Sequence, residues 1–219
     1  RASSPAFSAR GQRIGYSGTY VVTADQQRVG IVAAGYNDGV PWRLSNRGAV
    51  LVHGSPRQRS PAPGQSVADA SQRFEAAMAE LAPHAQAAGV VYCIEPLGRF
   101  ETPVINTVAE AANLVDRIGS PALRTMLDVS AASHSENEPV HEVLRRFLAS
   151  GHIAHVQVND KNRRGPGQGE TRQRPVLQVL KDMNYDGWVA VEPFEYLPDG
   201  PGCAEISAHH VREIWRALP

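Results

Sequence analysis

The 219-residue chain lacks an excess of either charge: Lys plus Arg and Asp plus Glu stand at 22 each. A balanced chain carries no net field drawing it to nucleic acid or to an anionic membrane surface, so neither is expected as a partner. Cysteine is scarce. Cys93 and Cys203 lack the spacing of a metal knuckle, and both read as free thiols. No apolar stretch approaches the length of a membrane span, and the chain starts at Arg1 without the charged start and apolar core of a secretory signal. A soluble, cytoplasmic protein is expected. The 42% of hydrophobic residues is enough for a core, in one large domain or two small ones.

The hydrophobic residues fall into a repeated pattern. Val90 to Ile94 is a short apolar run that ends in Glu95-Pro96, and it reads as a strand buried on both faces with a carboxylate at its C-terminal end. Leu123 to Leu127 runs into Asp128, Ile153 to Val158 carries Gln157, Trp188 to Val191 runs into Glu192, and Ala49 to Val52 runs into His53. Helical stripes lie between these runs. Ser66 and Thr107 can cap helices that stop at Gly89 and Gly119, Glu138-Pro139 opens a third helix to Gly151, Pro175 to Met183 makes a fourth, and Ala204 to Leu218 a fifth. Five strand–helix units, roughly 30 to 40 residues each, predict right-handed βαβ repeats and a parallel sheet. The fold class expected is therefore α/β, a partial TIM-barrel-like sheet of five βα units preceded by a small β segment. Residues 1–48 form that segment and 49–219 the barrel domain.

Parallel strands followed by helices bring all strand C-termini to one face, where such sheets hold their active sites. Glu95, Asp128, Gln157 and Glu192 would converge there. Three carboxylates aimed at one spot repel each other and are costly to bury unless a cation or an arginine neutralises them, and a divalent metal is the economical answer. With the carbonyl oxygen of Gln157 they make an all-oxygen donor set, which suits Mn²⁺ or Mg²⁺ better than Zn²⁺. A metal with open positions can chelate a hydroxy-ketone and acidify the C–H bond beside its carbonyl, while Glu95 and Glu192 take and return the proton. His53, at its strand end, either faces this site or bonds a backbone carbonyl. Arg163, beside Gly165-Pro166-Gly167, either binds a substrate hydroxyl or phosphate or is solvated. Glu195 is a candidate partner for Arg163.

From about Val50 onward the chain resembles the sugar phosphate isomerase/epimerase group of the xylose isomerase-like barrels. The matching stretches include Leu51-Val52-His53-Gly54-Ser55-Pro56, Ile94-Glu95-Pro96-Leu97, Leu127-Asp128, Asn162-Arg163-Arg164-Gly165-Pro166-Gly167 and Tyr185-Asp186-Gly187-Trp188 leading to Glu192. The resemblance implies metal binding by Glu95, Asp128, Gln157 and Glu192, the two glutamates as acid and base, and a small sugar or keto-acid substrate. Position 157 is Gln where most of the group has His, which is similar to hydroxypyruvate isomerases. Ala131 stands where many epimerases have a histidine, with His134 out of register to replace it.

Within the first segment, residues 9–48 or so resemble the start of an alanine racemase C-terminal β domain, through Gly15-Tyr16-Ser17-Gly18-Thr19-Tyr20 and Gly35-Tyr36-Asn37-Asp38-Gly39. That resemblance implies a catalytic base at Tyr16 and a substrate-entry residue at Tyr36. The lysine-bearing barrel of that family has no match, so pyridoxal phosphate is not expected. Five βα units fall short of the eight of a closed barrel. The alternatives to an isomerase or epimerase are thus a hydroxypyruvate-type isomerase, a non-catalytic fusion remnant, or a half barrel completed by a homo-oligomer or another chain; a racemase fragment is the most distant.

Overall fold

The computed structural model describes residues 50–219 and, before them, four short strands. These are β1 (Pro5–Phe7), β2 (Arg13–Gly15), β3 (Thr19–Val22) and β4 (Val29–Val32), paired antiparallel as β1–β2 and β3–β4. The β segment expected at the start of the chain is therefore strand-forming. Tyr16 and Tyr36 lie outside the described residues. Strand β3 runs close to β9, and β4 close to β5, the two outer strands of the main sheet.

That sheet contains β5 (Val50–His53), β6 (Val91–Ile94), β7 (Leu123–Asp128), β8 (Ile153–Val158) and β9 (Trp188–Val191), parallel throughout and in sequence order. Consecutive order with a helix after each strand is the topology of successive βα units, here a curled half barrel. The connecting helices are α1 (Pro56–Arg59), α2 (Val67–Ala88), α3 (Val108–Ile118), α4 (Val129–Ser135), α5 (Val140–Ala149), α6 (Gln173–Asp182) and α7 (Gly200–Arg216).

The helix boundaries follow from local chemistry. At α2, the Ser66 hydroxyl accepts from the Asp69 N–H while the Asp69 carboxylate accepts from the Ser66 N–H; Thr107 and Glu110 repeat this box on α3. Both helices end on a left-handed glycine, Gly89 (φ 68°) and Gly119 (φ 69°), a conformation that costs a side-chain-bearing residue more. The fourth and fifth expected helices begin earlier, at Gln173 and Gly200, because Pro175 and Pro201 fit within a first turn where no N–H is needed. Two helices went unanticipated: the single turn α1, and α4, whose small residues carry no apolar stripe.

Side-chain alternation along the strands builds two layers of core. Leu127, Ile153, Val156 and Val158 pack outward against α5 and α6, and Ile94 and Leu123 against α2 and α3. The opposite face carries Val50, Val52, Cys93, Met126 and Ala190. The next inward positions along β6, β7 and β9 are Glu95, Asp128 and Glu192, so the apolar inner layer ends in a ring of acids. Among the described residues no helix is long and apolar enough to cross a membrane.

Candidate metal centre at the strand ends

Glu95, Asp128 and Glu192 meet: one carboxylate oxygen from each lies within 4.8 Å of the others. Glu95 and Asp128 are buried, at 6% and 4% exposure. Glu192 is half-buried, and its Oε2 is enclosed without a hydrogen-bond partner. Gln157 sits directly opposite Asp128 in the β7–β8 register, at 1% exposure, and its Oε1 is also an enclosed acceptor with no donor. Two orphaned oxygens and three clustered carboxylates form an acceptor-rich cluster. A divalent ion is the ligand whose chemistry fits this donor set.

Each acid is held from its own strand end. Asp128 caps α4: its Oδ1 accepts from the Ala131 N–H at 2.7 Å, and its Oδ2 accepts from Asn159 Nδ2 at 2.7 Å. Asn159 in turn donates to the Glu192 carbonyl (3.2 Å) and accepts from the Ser130 N–H (2.7 Å), so one amide ties the ends of β7, β8 and β9 together. Glu95 needs room over the end of β5. The neighbouring residue there is Gly54, where any β-carbon would collide with the Glu95 carboxylate.

The electrostatics match the crowding. Burial, then the charge of Asp128, holds the Glu95 carboxyl well above the usual carboxylate range, with Arg59 pulling the other way. Burial, then Glu95 and Asp128, also holds Glu192 well above the usual range, against a weaker opposing pull from Arg163. Burial also raises Asp128, although its bonds from Ala131 and Asn159 favour the charged form.

The remaining residues singled out in the sequence divide. Arg163 stands at the mouth with φ +68°, its guanidinium 4.1 Å from the ring centre of Phe194 and 5.7 Å from that of Phe100. Its carboxylate partner is Glu101, at 3.7 Å, whereas Glu195 pairs with Arg164 at 2.9 Å. His53 turns to the helix side: Nδ1 lies 2.8 Å from the Tyr92 hydroxyl, and the ring meets Phe74 edge-on. Burial pulls that imidazole down to about 4, so it is neutral at pH 7. His134 is exposed, with Nε2 against the Lys161 carbonyl. Glu101 was missed from sequence. It lies six residues beyond Glu95 in a loop without periodicity, its carboxylate accepts from the Gly98 N–H, and its charge bears on all three clustered acids.

A family model described as xylose isomerase-like TIM barrel matches residues 43–214, and one for the alanine racemase C-terminal domain matches 7–65. D-psicose 3-epimerase of Enterocloster bolteae is 33% identical over 139 residues, 64% of this chain and 43% of its own length. Hydroxypyruvate isomerase of Escherichia coli is 27% identical over 106 residues, 47% of this chain and 40% of its own. The chain thus spans about two fifths of the length of these curated relatives. Among solved structures, a 3-keto-D-glucoside 4-epimerase from E. coli superposes with a TM-score of 0.64 at 21% identity, covering 76% of this chain and 64% of that one, a likeness of fold.

Proposed function

Because the chain belongs to the xylose isomerase-like TIM barrel family, and three of its carboxylates crowd together beside the unpartnered Gln157 oxygen, we propose that it is a metal-dependent isomerase or epimerase of a small ketose or hydroxy-ketone. Glu95, Asp128, Gln157 and Glu192 would hold one Mn²⁺ or Mg²⁺. When bound, the ion polarises a substrate carbonyl and acidifies the adjacent C–H bond. Glu95, just past β6, and Glu192, just past β9, come from strands separated by β7 and β8 in the sheet order. One carboxylate takes the proton from carbon and the other, protonated, returns one: to the opposite face of the same carbon, which inverts it, or to the former carbonyl carbon with the hydroxyl proton passing to the other oxygen, which moves the carbonyl, in neither case with any net redox change. In the metal-free chain both carboxyls are held above the usual carboxylate range, which favours their holding a proton. Arg163 and Glu101 would meet substrate hydroxyls at the mouth.

The observation that carries this reading is the acidic triad with its unpaired oxygens. The ketose substrate class is supported by D-psicose 3-epimerase being among the relatives. A hydroxypyruvate-type isomerase is the second reading, favoured by Gln157 and by the E. coli relative. The test is deuterium uptake from D₂O into ketohexoses and into hydroxypyruvate, followed by NMR with Mn²⁺ present. Uptake beside the carbonyl that vanishes in Glu95→Gln and in Glu192→Gln supports the proposal, and the substrate that exchanges selects between the readings. No uptake into either from folded, metal-loaded protein overturns it in favour of a non-catalytic barrel fragment. The division at residue 48/49 is part of the proposal and predicts that limited proteolysis leaves a stable product beginning near Gly48.

A further inference from the structure

Resting on the metal-site reading above, we propose that Arg59 is a positioning residue that sets where the Glu95 carboxylate stands. Arg59 ends the single turn α1 and is 1% exposed, the one Lys or Arg so enclosed among the described residues. A guanidinium that deep ordinarily bonds a carboxylate. Here it bonds backbone instead: Nη1 donates to the Glu95 carbonyl at 2.7 Å and Nη2 to the His53 carbonyl at 2.6 Å, with the Phe74 ring centre 4.8 Å away. The His53 carbonyl also accepts from the Glu95 N–H at 3.2 Å.

Arg59 therefore closes a loop of hydrogen bonds that holds Glu95 by both its N–H and its C=O. With both peptide planes fixed, the direction in which the Glu95 side chain leaves the backbone is fixed too, over the space that Gly54 leaves open. Charge gives the residue a second part in the site. With all three carboxylates ionised, one divalent ion leaves a single negative charge, which the buried guanidinium offsets. A second divalent ion would leave the enclosed cluster positive, so the site is built for one.

The test compares wild type with Arg59→Met and Arg59→Lys by amide hydrogen exchange in the metal-free protein and by Mn²⁺ calorimetry. Arg59→Met removes the donors to the Glu95 and His53 carbonyls but leaves the Glu95 N–H on its own acceptor; as this end of β6 loosens, the Glu95 amide should exchange faster by about tenfold, while the β7 amides keep their protection. Mn²⁺ should bind about tenfold more weakly or worse, as when an outer-shell partner is removed. Arg59→Lys, which can reach only one carbonyl, should fall between, and wild type should take up one ion per chain. Wild-type exchange at Glu95 in Arg59→Met would overturn the proposal; should that variant not fold, wild-type exchange and affinity in Arg59→Lys would do so. If wild type binds no Mn²⁺ yet exchange at Glu95 quickens in the variant, the metal reading fails and the role of Arg59 stands.

Discussion

Acidic residues on the helix surface and at the strand ends are in opposite situations. Glu75 and Asp182 on exposed helix faces, and Glu138 in the exposed bend before α5, each meet an arginine at 2.8 to 2.9 Å, and their carboxyls titrate below the usual range because the partner favours the charged form. Glu95, Asp128 and Glu192 meet one another in a buried cavity, and all three titrate above it. Identical chemistry is thus arranged for solubility in one place and held under repulsion in the other. A fold keeps such repulsion only where something else relieves it, which is the usual mark of a site that binds a cation.

Changes at the strand ends should accordingly have large and unusual effects, and changes on the helices small ones. Glu192→Gln should lower the rate of proton exchange into substrate by at least about 100-fold, the scale of a lost general acid or base, as read by deuterium uptake. Gly54→Val should displace the Glu95 carboxylate and weaken Mn²⁺ binding by about tenfold or more, in the range of lost ligand support, as measured by calorimetry.

Stability should respond in the opposite sense. For carboxyls whose pKa is raised on folding, the native state binds more protons than the unfolded chain. Their contribution is therefore most favourable at acid pH and declines as pH rises from the unfolded carboxylate value through the raised native one. The metal-free protein should lose melting temperature between pH 5 and 8, and Mn²⁺ should restore it. At pH 8 without metal, Glu192→Gln should be more stable than wild type by about 1–2 kcal/mol, since it removes a carboxyl that on folding must either bury its charge or take up a proton. The smallest effect is expected from Arg117→Gln, which breaks the exposed pair with Glu75 and should change stability by no more than ~1 kcal/mol, with Mn²⁺ affinity unchanged.

The parts legible in the sequence were those written in local chemistry. Capping boxes at Ser66 and Thr107, glycine stops, and apolar runs ending in acids mark the βα units, and the face they share follows from strands running parallel. What stayed hidden depends on contacts between distant segments. The alternation Val50-Leu51-Val52 is apolar on both sides, so nothing in it shows that Val50 and Val52 face inward and His53 outward. Glu101 is brought to the mouth by an irregular loop that includes Ile105 at φ +56°, a path no periodicity encodes. The pairing of Arg163 with Glu101 and of Arg164 with Glu195 depends on that same loop geometry. Arg59 reads as one more basic residue in Pro56-Arg57-Gln58-Arg59, and only the structure encloses it between two strand ends.

Mn²⁺ calorimetry on the purified chain, beside the double variant Glu95→Gln/Glu192→Gln, tests the central claim most directly. The account predicts stoichiometric binding of one ion per chain in wild type and its loss in a double variant that remains folded by circular dichroism. Folded wild-type protein that takes up no Mn²⁺, or a double variant that binds it as well as wild type, would contradict it.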